Sequence, residues 1–227
     1  NEPELQTLVG NQSPIVLNLK LTKKADPTGA LHKQEDLLGQ FKEVCPNYET
    51  IYHTFNDFSD IERILTNLSN RKIAQLIILT HGSPNSIMTG KNEEMIATPV
   101  KNRNFKKFVE MLKSMLLPRA SVLLTACLTG KNELFDHLED KSNRSLLIKN
   151  MEINNFANVL SKDLKGHEIY CTPRVQVANE LQLIPIGKRN ETRICSQENE
   201  RPVNWGYLSR HQIMFVYYQD ESNQSEI

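Results

Sequence analysis

Two short runs of the chain carry apolar side chains at consecutive rather than alternate positions. Residues 73–80 read Ile, Ala, Gln, Leu, Ile, Ile, Leu, Thr, and residues 121–126 read Ser, Val, Leu, Leu, Thr, Ala. A strand with one wet face alternates apolar and polar residues, whereas a strand apolar on both faces belongs inside a covered, parallel sheet. Parallel neighbours need a crossover between them, usually a helix. Phe105, Phe108, Val109, Leu112 and Leu116 recur at helical spacing between the two runs and stop before Pro118, so the crossover is present.

The remaining chain repeats this alternation. Residues 15–21 are rich in branched apolar side chains and predict a first strand, broken by Asp26, Pro27, Thr28 and Gly29. Leu37, Leu38 and Phe41 predict a helix that Cys45 and Pro46 stop, and residues 50–55 predict a second strand. Ser59 and Glu62 have the spacing of a capping box, opening a helix with Ile61, Ile64, Leu65 and Leu68 on one face. Residues 83–103, punctuated by Pro84, Gly90 and Pro99, predict a long mobile loop with room for a short hairpin.

After the polar residues 130–150, Ile153, Phe156, Ala157, Leu160 and Leu164 outline another helix, with Gly166 as its C-terminal cap. Residues 167–171, 181–186 and 213–218 predict further strands, the last two separated by the polar segment 187–204. This order predicts an α/β fold with a mostly parallel central sheet flanked by helices. One domain over residues 14–218 is expected, with an extension at 1–13 and a flexible tail at 219–227.

Composition narrows the function classes. With 227 residues the chain is long enough for one sizeable core. Its 27 basic and 27 acidic residues cancel, so nothing in the charge balance points to nucleic acid or a membrane surface as partner. The apolar runs are too short to span a bilayer, and no basic n-region followed by an apolar h-region opens the chain. Asn1 in place of Met leaves room for a fragment or a processed product. Cys45, Cys127, Cys171 and Cys195 are scattered, and the six histidines offer no zinc-ligand spacing. No metal is therefore expected, and reduced thiols in a cytosolic-type environment are.

The chemistry converges on the ends of the two doubly apolar strands. The first leads into His81 and Gly82, the second into Cys127. Adjacent parallel strands bring their carboxyl ends about 5 Å apart, and open α/β sheets bind ligands beyond those ends. His81 can then take the proton of the Cys127 thiol, making it a nucleophile. Gly82, without a side chain, lets its amide approach a substrate carbonyl oxygen. With the amide of Cys127 it would form an oxyanion hole.

A hydrophobic block ending in His81 and Gly82, then a second ending in Ala126 and Cys127, resembles the clan CD cysteine peptidases. These include caspases, metacaspases, legumain, clostripain, separase and the cysteine protease domains of bacterial toxins. The 46-residue separation of His81 and Cys127 is near the roughly 50 of the caspase pair. Thr125, Ala126, Cys127, Leu128 and Thr129 depart from the caspase nucleophile motif, so aspartate specificity is not implied. Ala126 to Gly130 is more similar to caspase-like domains found beside tetratricopeptide repeats. The stretches 156–160 and 166–173 look like toxin- and effector-type relatives.

The resemblance implies a caspase-like three-layer sandwich and a cysteine endopeptidase acting on protein or peptide substrates without a required cofactor. It also implies an effector or toxin module secreted into a host cell. Arg174 would line the pocket for the residue before the scissile bond and pair with an acidic side chain; a solvated surface arginine is the plainer reading. Toxin-type relatives are activated by inositol hexakisphosphate. Lys101, Arg103, Lys106 and Lys107 form the densest basic cluster for it, although a solvated helix face accounts for them equally.

Plainer readings of the pair are a core cysteine and a turn-bonded histidine. Cys171 reads as core, Cys195 as an incidental thiol, and His32, His53, His137, His167 and His211 as structural. A non-peptidase acyl- or amidotransferase using the same pair, and a catalytically silent interaction module, remain the alternatives.

Overall fold

A computed structural model describes residues 13–33, 39–40, 42, 48–136, 145–174, 181–185, 192–193, 205–209 and 213–221. Three strands, β1 (Ile15–Leu21), β2 (Glu49–Phe55) and β3 (Ile73–Leu79), open the fold, with helix α1 (Phe58–Asn67) before β3. A hairpin of β4 (Ser86–Gly90) and β5 (Glu93–Ile96) follows, then helix α2 (Arg103–Met115) and β6 (Leu116–Thr125). Next come β7 (Ser145–Lys149), helix α3 (Phe156–Asp163) and β8 (Glu168–Cys171). The described chain finishes with β9 (Leu181–Pro185), β10 (Thr192–Arg193), β11 (Trp205–Ser209) and β12 (Met214–Tyr218).

Eight of these strands form one sheet in the order β10-β7-β12-β8-β6-β3-β1-β2. Six of its seven neighbouring pairs are parallel, and only β12 against β8 is antiparallel. The expected α/β class with a mostly parallel sheet is therefore observed. Every residue of β3 is buried, as its unbroken apolar run requires. One face of the sheet, through Leu17, Leu19, Leu76, Ile78, Val122 and Leu124, joins one core with residues of α1, α2 and α3. Phe105 of α2 and Phe156 of α3 meet edge to face there, ring centroids 5.6 Å apart. The opposite face, carrying Val16, Ile77, Leu123 and Tyr170, is buried as well.

Local chemistry departs from the sequence reading in several places. The cap of α1 is Asp57, whose carboxylate accepts the Asp60 amide at 3.0 Å, while Ser59 donates its hydroxyl to that same carboxylate. A carboxylate two residues earlier is the stronger acceptor and suits the helix dipole, so it displaces the capping box expected at Ser59. Leu116 does not close α2. It opens β6, which carries Pro118 before its partly exposed start gives way to the buried run from Ala120. The polar stretch 130–150 contains β7, with Leu146 and Ile148 buried. The 83–103 loop is an ordered hairpin, tied back by the Glu93 carboxylate to the Phe58 amide at 2.7 Å and the Thr89 hydroxyl at 3.0 Å.

Gly166 follows α3 at φ +82, a conformation open to glycine, and its amide reaches Gln219 O at 2.8 Å. Asp220 is likewise held, its amide donating to Asn150 Oδ1 at 2.9 Å. Leu37, Leu38 and Phe41, from which a helix is expected, residues 1–12, most of segment 187–204 and residues 222–227 lie outside the described residues, while residues 39–40 and 42 between and beside them are helical.

Candidate functional site

The site gathers where three adjacent central strands end. β3 and β6 run in parallel register, with Leu79 opposite Thr125 as their last pair. Two residues further along each chain stand His81 and Cys127. Gly82 confirms that the two segments touch. A Cβ built there would lie 2.8 Å from Cys127 O, 2.9 Å from Ala126 Cβ and 2.9 Å from Thr129 Cγ2. Only glycine permits this approach. The two flanking hydrogen bonds of the Gly82–Ile87 bridge run from Ser83 N–H to Ser86 O and from Met88 N–H to His81 O. Gly82's own amide is in neither of them.

β1, the other neighbour of β3, supplies a residue the sequence reading did not single out. Asp26, in the turn beyond β1, places Oδ1 2.6 Å from His81 Nε2. Its side chain is fully buried, while a quarter of the His81 side chain stays accessible. Burial pushes the Asp26 carboxyl upward, but donors from His81, the Thr28 amide, the Thr28 hydroxyl and the Leu31 amide outweigh it. The group is held well below the usual carboxylate range. In sequence Asp26 stands only as part of a chain-breaking turn; the signal that marks it is an acid just past a strand that neighbours β3.

The same network assigns the imidazole tautomer. The Thr28 hydroxyl gives its single proton to Asp26 Oδ1 at 3.0 Å and accepts the Ala30 amide at 3.1 Å. It also lies 3.2 Å from His81 Nε2. Having no second proton, Thr28 can only accept from that nitrogen, so Nε2 carries a hydrogen, and in the neutral imidazole Nδ1 carries the lone pair. An imidazole in this state, anchored by a carboxylate, is arranged to take a proton on Nδ1.

Cys127 is half-buried at the head of a tight turn, and Leu128 after it adopts φ 63, a left-handed backbone rare for leucine. The turn is tied on several sides. Leu128 N–H donates to Arg174 O at 3.2 Å, Gly130 N–H to Thr172 O at 3.2 Å, and the Thr129 hydroxyl to Ala126 O at 2.9 Å. Gly130 packs so closely on Cys171 Sγ that a Cβ would not fit. The Cys171 thiol is fully buried and pushed up by that burial, which suits the structural role expected of it.

Helix α3 holds both loops. Its first amides, Phe156 and Ala157, donate to Pro84 O at 2.7 Å and to Thr129 O at 3.1 Å. The structure thus sets the segment of His81 and Gly82 against the backbone of Cys127. Arg174 meets the nucleophile turn through its carbonyl, which accepts the Leu128 amide, and is exposed. Two of the four residues of the basic cluster are paired elsewhere. Lys101 makes a bidentate pair with Asp163 at 2.6 Å, and Lys107 lies 3.9 Å from Glu62, while Arg103 and Lys106 are exposed.

His167 Nδ1–H donates to Ala120 O at 2.9 Å and its pKa is lowered chiefly by burial, and His53 sits on edge strand β2, both away from Cys127. Cys45, Cys195, His137 and His211 lie outside the described residues. Among the described residues no group of three or more potential metal ligands clusters, and no helix is long and apolar enough to cross a membrane. In comparison with known proteins, no family model matches the chain and no curated protein matches it.

Proposed function

We propose that the chain is a cysteine endopeptidase of caspase-like architecture, in which Cys127 is the nucleophile, His81 the acid–base and Asp26 the anchor of His81. The observation that carries this reading is the convergence of three neighbouring parallel strands on one edge. There a buried carboxylate fixes Nε2–H of an accessible imidazole, and the next strand delivers a thiol.

His81 Nδ1 takes the thiol proton, and the Cys127 sulfur attacks the scissile carbonyl carbon. The amides of Gly82 and Cys127 are the donors for the oxygen that becomes negative. The tetrahedral adduct collapses as the imidazolium returns its proton to the departing amine, leaving a thioester on Cys127. Water then gives a proton to His81, attacks the thioester and releases the acid product, restoring the thiol. These steps use no cofactor. The resemblance supports an effector or toxin module with protein or peptide substrates. Arg174 would receive an acidic residue before the scissile bond, and a polyanionic activator would find Arg103 and Lys106 exposed.

Incubation with a peptide library tests the reading. Cleavage is expected in the wild type, its loss in Cys127→Ala, and a drop of about 10²- to 10⁴-fold in His81→Ala. Undiminished cleavage by Cys127→Ala would overturn it. A non-peptidyl acyl group trapped on Cys127 would make the protein a transferase instead.

A further inference from the structure

The turn that presents Cys127 places Leu128 in a left-handed conformation, and such strain persists only where the surroundings fix it. A buried polar node behind the turn supplies that constraint. Tyr217, on β12, is fully buried and donates its hydroxyl to Gly130 O at 2.9 Å. The Tyr217 hydroxyl oxygen in turn accepts from Asn155 Nδ2 at 2.9 Å. Asn155 is also fully buried, and its Nδ2 reaches Lys131 O at 3.0 Å. Its Oδ1 caps α3 by accepting the Asn158 amide at 2.8 Å. The helix so capped holds Pro84 O, from the loop after His81, and Thr129 O, from the turn after Cys127. One asparagine therefore ties the nucleophile turn to β12 and, through its helix, to the histidine loop.

Burying an amide and a phenol costs stability unless every partner is met, and an apolar pair would have served packing alone. Here the donors converge on the carbonyls of residues 130 and 131, three and four positions after the nucleophile. We infer that Asn155 and Tyr217 are positioning residues that set Cys127 against His81. They act through the backbone of the nucleophile turn and touch no reacting atom. This inference rests on the peptidase reading for its catalytic meaning, but not for its physical test.

Two variants separate positioning from packing. Tyr217→Phe keeps the ring, which packs edge to face on Phe215 at 6.4 Å, and removes only the hydroxyl. Asn155→Ser keeps a cap acceptor for α3 and removes the donor to Lys131 O and Tyr217. Leu65→Ala, in the core beneath α1, is the control for general destabilisation. Each is compared by thermal unfolding, by kcat and KM on a cleaved peptide, and by the rate of Cys127 carbamidomethylation by iodoacetamide, read by peptide mass mapping.

The expected result is a kcat lower by about 10- to 100-fold in both site variants, the scale of a lost outer-shell partner, with KM within about twofold. Cys127 alkylation is expected to change in both and to stay at the wild-type rate in Leu65→Ala. Site variants whose alkylation rate and kcat match Leu65→Ala would overturn the inference. Should the wild type cleave no peptide, the peptidase reading fails separately, and the alkylation rates still decide the positioning role.

Discussion

Asp26 illustrates how one carboxylate shapes the site at the residue scale. It accepts from four donors while fully buried, so it stays ionised and holds His81 in one tautomer. Asp26→Asn would retain the shape and lose the charge. We expect kcat/KM to fall by about 10²- to 10⁴-fold, as when a carboxylate no longer orients a catalytic imidazole. An unchanged kcat/KM would show that His81 needs no anchor. Gly82→Ala is expected to be worse tolerated than its size suggests, because the new methyl would meet the Cys127 carbonyl. A loss of both stability and activity, read by thermal unfolding and peptide cleavage, would follow from a shifted nucleophile turn. His81, Gly82 and Cys127 were legible in the sequence because His81 and Cys127 each stand just past an apolar run and Gly82 follows His81. Asp26 was not, since its relevance depends on β1 lying beside β3, which no local pattern encodes.

Elements were legible where a single periodicity ran uninterrupted and less so where two signals competed. β1 and β3 followed from apolar runs, and α2 from its amphipathic stripe. At Leu116 the helical period and the start of β6 overlap, and the strand takes the residue. β7 was hidden because its five residues sit inside a polar stretch and owe their burial to pairing with β12, far along the chain. The cap of α1 gives a direct test. Asp57→Ala is expected to cost about 1 kcal/mol in urea unfolding, and Ser59→Ala clearly less, since the hydroxyl only supports the carboxylate. The reverse order would restore the capping box at Ser59. Within the core, Phe105→Ala is expected to cost about 3–5 kcal/mol, because the fully buried ring packs on Phe156.

For the whole molecule, the sheet order sets both stability and chemistry. β1, β3 and β6 lie side by side, so one edge receives Asp26, His81 and Cys127 from three distant parts of the chain. The buried Asp26 carboxylate also links this edge to pH. Its folded-state pKa lies below its unfolded value, so its contribution is complete above about pH 4 and declines as acid protonates it. Urea unfolding from pH 6 downward should therefore show stability falling through the acid range, with a shallower fall in Asp26→Asn. Equal slopes would mean that the carboxylate contributes nothing to the acid limb. The pairing of His81 with Cys127 is tested most directly by a peptide-derived electrophile, followed by mass mapping of the adduct. The account predicts one equivalent on Cys127, formed far more slowly in His81→Ala. Labelling spread equally over Cys171 and Cys195, or proceeding at the same rate without the imidazole, would contradict it.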